Sequence, residues 1–195
     1  MDKDIKPYRQ RGNTCAIACM MMVLEYYHLI PKANWYDEKR FYKIYGSRNM
    51  EGTPFSALAF HFSKNGLDTI LYHSDDDLFN NNKGILEEYE FKSAMEEYKE
   101  YLKRAISKGT KVIKGINIDS SLLKEQLNKG NIVILAGEIS GILHAILLSG
   151  YEDNNFIVCD PLCKKKQLKT TFEIENFMNT SIGKWFISVN DKNTR

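Results

Sequence analysis

The sequence predicts an α+β fold, with residues 1–130 mainly helical and residues 131–195 mainly antiparallel sheet. Three observations carry that expectation. Residues Ala16–Tyr27 (AIACMMMVLEYY) are apolar nearly all round, the pattern of a helix buried at the centre of a domain. Further segments up to Gly130 show helical periodicity with their own start and stop signals. After Asn131 the texture changes to short apolar runs divided by turn residues, as strands require. Helices first and strands last is the α+β order. At 195 residues the chain has the size of a single domain.

Thr14, or Asn13 before it, is the natural N-cap of the first helix, and Pro31 ends that segment. Trp35–Tyr45 is amphipathic and stops at Gly46. Thr53-Pro54 supplies a cap and a proline at the first helical position for Phe55–Lys64, with Gly66 past its end. Asp68–Tyr72 is a short strand, and the polar run Ser74–Asn82 (SDDDLFNNN) is a surface loop. Leu86–Lys108 is a long charged helix in which Tyr89, Met95, Tyr98, Leu102 and Ile106 form a partial apolar stripe. Ser120–Lys129 is a helix capped by Asp119 or Ser120 and closed by Gly130. The strand-like runs are Ile132–Gly137, Leu143–Tyr151, Phe156–Asp160 and Trp185–Val189, with a short capped helix, Thr171–Met178, between the last two.

Composition excludes several classes. Hydrophobic residues at 43% and charged residues at 27% argue against disorder. With 27 basic and 25 acidic residues there is no basic excess to hold a phosphate backbone, so no nucleic-acid partner is expected. The opening Met-Asp-Lys-Asp places acids where a signal peptide needs bare positive charge. Asn131–Gly150 has near-membrane length, but Glu138, His144 and its glycines make it two buried strands, so no membrane partner is expected. A cytoplasmic location follows, in which the four cysteines are reduced thiols open to catalysis or metal binding.

Cys15 stands where a nucleophile would be placed. It opens a helix, where unpaired N–H groups and the helix dipole favour a thiolate, and it follows a polar Gly-Asn-Thr turn. The plainer reading of any one cysteine is a small buried hydrophobe. Cys19, one turn deeper, is read that way, as is Cys159; Cys163 is left unassigned. A cysteine nucleophile needs a base from elsewhere in the chain. His28, His61 and His73 read as surface or half-buried side chains. His144 begins a strand among apolar neighbours, and a buried imidazole needs a hydrogen-bond partner. Asp160, at the end of the next strand, is a candidate. If the connecting loop is Glu152-Asp153-Asn154, Asp160 falls opposite Ile146 and shares a face with His144 as a diagonal neighbour. A two-residue loop puts them on opposite faces unless a bulge intervenes. Gln10, five residues before Cys15, and the Cys15 main-chain N–H are candidate oxyanion donors.

These residues carry a family resemblance. QRGNTCAIACMMMVLEYY resembles the nucleophile motif of papain-like cysteine peptidases of the bacteriocin-processing, double-glycine leader class, and LHAILLSGYEDNNFIVCDP resembles their histidine–aspartate hairpin. The order Gln, Cys, His, Asp agrees as well. The resemblance implies a papain-like fold in which Cys15 is nucleophile, His144 base, Asp160 its orienting partner and Gln10 an oxyanion donor, with no cofactor. Ala16 departs from the glycine common after the family's cysteine, and its methyl group would narrow the site or change the backbone approach.

An acyl-thioester on Cys15 has two fates. Water gives hydrolysis of a peptide, and an amine acceptor gives a new amide. Cys15 so near the N-terminus implies narrow specificity in either case, and with no secretion or transport part the expectation leans to a dedicated acyltransferase or amide-forming enzyme of a peptide-like biosynthetic pathway, using an acyl-thioester on a carrier protein. The alternative is a narrow-specificity peptidase cutting a leader or peptide bond. An inactive binding module is the less favoured third reading. Cys15-x3-Cys19 and Cys159-x3-Cys163 together have a zinc-like composition, but Cys19 faces an apolar core, and no metal is expected. Asp75-Asp76-Asp77 lacks the glycine and distal glutamate of a calcium loop. Lys164-Lys165-Lys166 is an exposed turn which, if it lies beside the cleft, would suit an acidic carrier.

Overall fold

The structure is a computed structural model that describes residues 2–48, 51–75, 88–179 and 183–192. Six helices, α1 (Cys15–Tyr26), α2 (Trp35–Tyr45), α3 (Phe55–Lys64), α4 (Glu88–Ser107), α5 (Ser120–Asn128) and α6 (Thr171–Met178), accompany seven strands among these residues. The strands are β1 (Leu67–His73), β2 (Lys111–Ile113), β3 (Ile132–Ile139), β4 (Ile142–Glu152), β5 (Asn155–Cys159), β6 (Gln167–Thr170) and β7 (Trp185–Asp191). They form one sheet in the order β2-β1-β7-β3-β4-β5-β6, antiparallel throughout except for the β1–β2 pair.

Helices cover both faces. Helices α1 to α4 share one core with Ile132, Ile134, Ala145, Leu147, Ile187 and Val189. Helices α5 and α6 share the other with Val133, Leu135, Ile146, Leu148 and Phe186. Alternate residues of each central strand therefore enter opposite cores. Burial on both sides explains why β3 and β4 read as continuous apolar runs. Every residue of α1 from Ala16 to Leu24 is buried, as its all-round apolarity predicts.

The expected strand over Asp68–Tyr72 is β1, which joins this same sheet, and residues 111–113 add β2, which was not expected. Strands β2 and β6 are only three and four residues long and lie at the two edges, too short to leave a periodic signal. Pro54 is extended and occupies the cap position of α3, not its first turn. Thr170 closes a capping box with Glu173 that starts α6. The expected loop Ser74–Asn82 lies outside the described residues beyond Asp75, as do Leu86 and the Tyr89 side chain. No helix among the described residues is long and apolar enough to cross a membrane.

Candidate active site

Cys15 is the first residue of α1 and is half-buried. Thr14 is the N-cap, but its side chain does not cap the helix. Its hydroxyl donates instead to Glu38 of α2. The first N–H groups of α1 therefore keep no side-chain acceptor, which leaves the positive end of the helix facing the thiol. Ala16, expected to narrow the site, is buried in the core shared by α1 to α4. Cys19 is also core: its thiol donates to the Ala145 carbonyl at 3.5 Å, and burial, with Cys15 and Asp160 nearby, pushes it well above its ordinary pKa.

His144 is the third residue of β4, and Asp160 directly follows β5, so both lie at the end of the strands where α1 begins. The Nε2 of His144 meets Asp160 Oδ1 at 2.8 Å. The register that brings them together comes from a bulge. Glu152 pairs with Asn155, so the turn has two residues, Asp153 and Asn154, both at positive φ (47° and 64°) as a type I′ hairpin turn demands. Alone, that turn would put His144 and Asp160 on opposite faces. Between Leu148–Val158 and Gly150–Ile157 the register shifts by one, with Ser149 as the extra residue. Leu147 then pairs with Cys159, which sets Asp160 opposite Ile146 and on the face of His144. The bulge is pinned from the N-terminus: Ser149 Oγ donates to Asp2 Oδ1 at 2.7 Å, and Lys166 Nζ meets Asp2 Oδ2 at 2.6 Å.

Cys15 lies close enough to the same imidazole to raise its proton affinity, and Asp160 occupies Nε2 of that ring. Burial works against a charged His144, but the hydrogen bond to Asp160 and the electrostatic pull of Cys15 and Asp160 outweigh it, holding the imidazole up at about 9. Burial likewise works against a charged Asp160, and the bonds from His144 and the Leu162 N–H outweigh that, keeping its pKa below the usual range. The ring of Phe177 on α6 stands edge-on to His144, with centroids 6.3 Å apart. Gly137, paired with His144 across the sheet, makes room for it, because a Cβ there would collide with the Phe177 ring and carbonyl.

Gln10 is brought beside Asp160 by its main chain, whose N–H donates to the Pro161 carbonyl at 2.9 Å. Its Nε2 donates to the Gly12 carbonyl at 2.6 Å, so one amide hydrogen is engaged within its own loop and one is left over. Its Oε1 is buried without a partner. The loop around it is held by Glu38, a fully buried carboxylate absent from the sequence reading. Glu38 accepts from the Tyr8 hydroxyl at 2.5 Å, the Arg11 N–H at 3.1 Å and the Thr14 hydroxyl. The legible signal was an acid on the apolar stripe of α2, three residues before Phe41 and seven before Tyr45. Phe177 and Ser149 had no such signal.

The other sequence candidates separate from this cluster. His28 is exposed at positive φ after α1, and His61 bonds Tyr45 at 2.8 Å. His73, expected at most half-buried, is fully buried, because β1 extends to it and covers it with Tyr98 and Trp185. Cys159 is fully buried, and Cys163 accepts from Gln167 at 3.2 Å. All four cysteines are free, and among the described residues no three His, Cys, Asp or Glu side chains converge as metal ligands would. Lys166 is committed to Asp2 and the Lys3 carbonyl, whereas Lys164 is exposed. Asp76 and Asp77 lie outside the described residues.

A half-buried cysteine at a helix start, joined to a histidine–aspartate pair on an antiparallel hairpin, defines the cysteine-peptidase-like class with a papain-like fold. The chain matches the model of the Peptidase_C39 like family over residues 2–188 and belongs to that family. Two solved structures share its fold. The peptidase domain of Streptococcus ComA, a bi-functional ABC transporter involved in a quorum sensing pathway, aligns with a TM-score of 0.52 at 14% identity, over 96% of this chain and 99% of that one. A double glycine motif protease from an AMS/PCAT transporter, solved in complex with its leader peptide, aligns with a TM-score of 0.53 at 15% identity, over 96% and 93%. No curated protein matches the chain.

Proposed function

We propose that the chain is a narrow-specificity cysteine peptidase that cuts a peptide substrate through an acyl-thioester on Cys15, in a cytoplasmic setting that keeps its thiols reduced. The observation that carries this reading is the hydrogen bond between His144 and Asp160, with Cys15 at the start of α1 close enough to the same imidazole to act on its proton affinity. The expected lean to amide formation gives way to hydrolysis, because the family and both solved neighbours are peptidases or peptidase-like.

In this reading the Cys15 proton resides on His144 Nδ1, and Asp160 holds the imidazolium from Nε2. The thiolate adds to the peptide carbonyl. The resulting oxyanion lies by the Cys15 N–H at the uncapped start of α1 and the remaining hydrogen of the Gln10 amide. His144 then gives its proton to the leaving amine as the C–N bond breaks, leaving the acyl group on Cys15. His144, now neutral, takes a proton from water, whose oxygen attacks the thioester. Collapse breaks the C–S bond, releases the product acid, which gives its proton to solvent, and returns the Cys15 thiolate beside protonated His144.

The test is intact-mass analysis of the protein incubated with peptide and thioester donors, with and without amines. The expected result is Cys15-dependent peptide cleavage and a trapped adduct that Cys15→Ala abolishes. Transfer to the amine in preference to water would return the acyltransferase reading, and activity surviving in Cys15→Ala would sink both.

A further inference from the structure

We propose that the groove beside Cys15 binds an acidic stretch of the peptide substrate; this rests on the peptidase reading and assigns the substrate its charge. The groove is an open surface depression of about 1070 Å³, lined by Gln10 of the site but not by Cys15, His144 or Asp160, and it runs between two loops. Arg9, Gln10 and Arg11 form one wall, Leu162 and Lys164 the other, and Trp35 joins them from α2. The hydrogen bond from the Gln10 N–H to the Pro161 carbonyl ties the walls together directly beside Asp160.

The charge in this groove is one-sided. Arg9, Arg11 and Lys164 line it, and among the described residues no aspartate or glutamate does. All three cations are exposed, and among the described residues none forms an ion pair. The nearby acids are already engaged. Glu38 is buried with three donors on its two oxygens, Asp37 is paired with Arg40 at 2.6 Å, and Glu51 accepts from the Asn13 amide at 3.0 Å. The chain as a whole is nearly neutral, so this concentration of positive charge is local.

Position selects the occupant. Gln10 belongs both to the groove wall and to the segment that leads into Cys15. A substrate with its carbonyl at Cys15 and its chain running out past Gln10 passes between the cations. Carboxylate side chains on that chain would meet two guanidiniums and an ammonium, while Trp35 and Leu162 offer apolar surface to the intervening residues. A folded acidic carrier would instead need a broad convex contact, and Lys166, the third lysine such a contact would use, is already bound to Asp2.

The experiment measures two quantities with an Asp/Glu-rich fluorescein-labelled peptide and its Asn/Gln counterpart. The first is binding to the Cys15→Ala protein across a salt series. The second is kcat/KM with the active protein. The acidic peptide should bind more tightly, with affinity falling as salt rises. In the combined variant Arg9→Gln, Arg11→Gln, Lys164→Gln, the acidic-over-neutral ratio of kcat/KM should fall by about tenfold, through KM. Charge reversal at the same three positions should invert the preference. An unchanged ratio in the variants, or equal binding of the two peptides, overturns the inference while leaving the peptidase reading standing. Salt-dependent, cation-dependent binding without cleavage of either peptide upholds the groove and overturns the peptidase reading. Binding of an acidic carrier protein in place of the peptide overturns the assignment of the occupant.

Discussion

His144 and His73 are both buried, at 8% and 0% exposure, and each has a ring nitrogen 2.8–2.9 Å from an oxygen. Their acidities nonetheless move in opposite directions. His144 is held up at about 9, while burial, with a smaller contribution from Lys114, drives His73 down to about 3. Desolvation disfavours both imidazolium ions. The difference lies in the partner: Asp160 is a carboxylate, and Tyr98 is a buried hydroxyl whose own pKa burial raises. His73 also leaves Nδ1 without a hydrogen bond, whereas the proton affinity of His144 is raised further by Cys15. One buried histidine thus stores a proton next to a thiol, and the other is a neutral packing residue among aromatic rings.

Three measurements sharpen or break that contrast. The largest effect is expected from His144→Ala, which should lower kcat by on the order of a thousandfold, while His73→Ala should act on stability instead. Comparable loss of kcat in the two variants, with both folded by circular dichroism, would break the contrast. Next comes Asp160→Asn. Removing the charge but keeping the shape should lower kcat by about ten- to a hundredfold and shift the alkaline limb of the pH–rate profile down from about 9 toward the ordinary histidine value of 6.5. An unmoved limb would mean that Asp160 does not set the His144 proton affinity.

The smallest effect concerns stability against pH. His73 has a folded pKa below its ordinary 6.5, so its contribution is full above 6.5 and is lost as pH falls toward about 3. His144 has the reverse sign: its contribution is full below 6.5 and is lost as pH rises through about 9. Denaturant melts of His73→Phe should therefore show an acid slope shallower than wild type by up to about 1.4 kcal/mol per pH unit. An identical slope would assign the acid loss to other groups, Asp160 first among them, whose lowered pKa has the same sign.

Much of this architecture was legible in local sequence. Helices α2, α5 and α6 begin and end within a residue or two of their caps and stop signals, because capping is decided by neighbours in the chain, whereas α1 ends at Tyr26, well before Pro31. The pairing of His144 with Asp160 was legible only as a condition. The alternation of a strand says which residues share a face, but the register depends on whether one residue is bulged out, and Ser149 is bulged by contacts with Asp2, nearly the whole chain length away. Edge strands β2 and β6 were missed for a related reason: so few residues have no period of their own, and they become strands through their neighbours.

By itself the sequence determined the α+β order, the buried helix behind Cys15, and the four residues Gln10, Cys15, His144 and Asp160 as chemically apt types at apt places. Tertiary structure decided what those residues can do. It turned an acid on an apolar helix stripe, Glu38, into the anchor of the loop that leads into Cys15, and it directed part of the Gln10 amide back onto Gly12. It gave two buried histidines opposite proton affinities, and it gathered Arg9, Arg11 and Lys164 from distant positions into one groove. Helix caps and side-chain alternation are fixed within a few residues, whereas proton affinity and local potential are sums over every group that folding brings within a few ångströms.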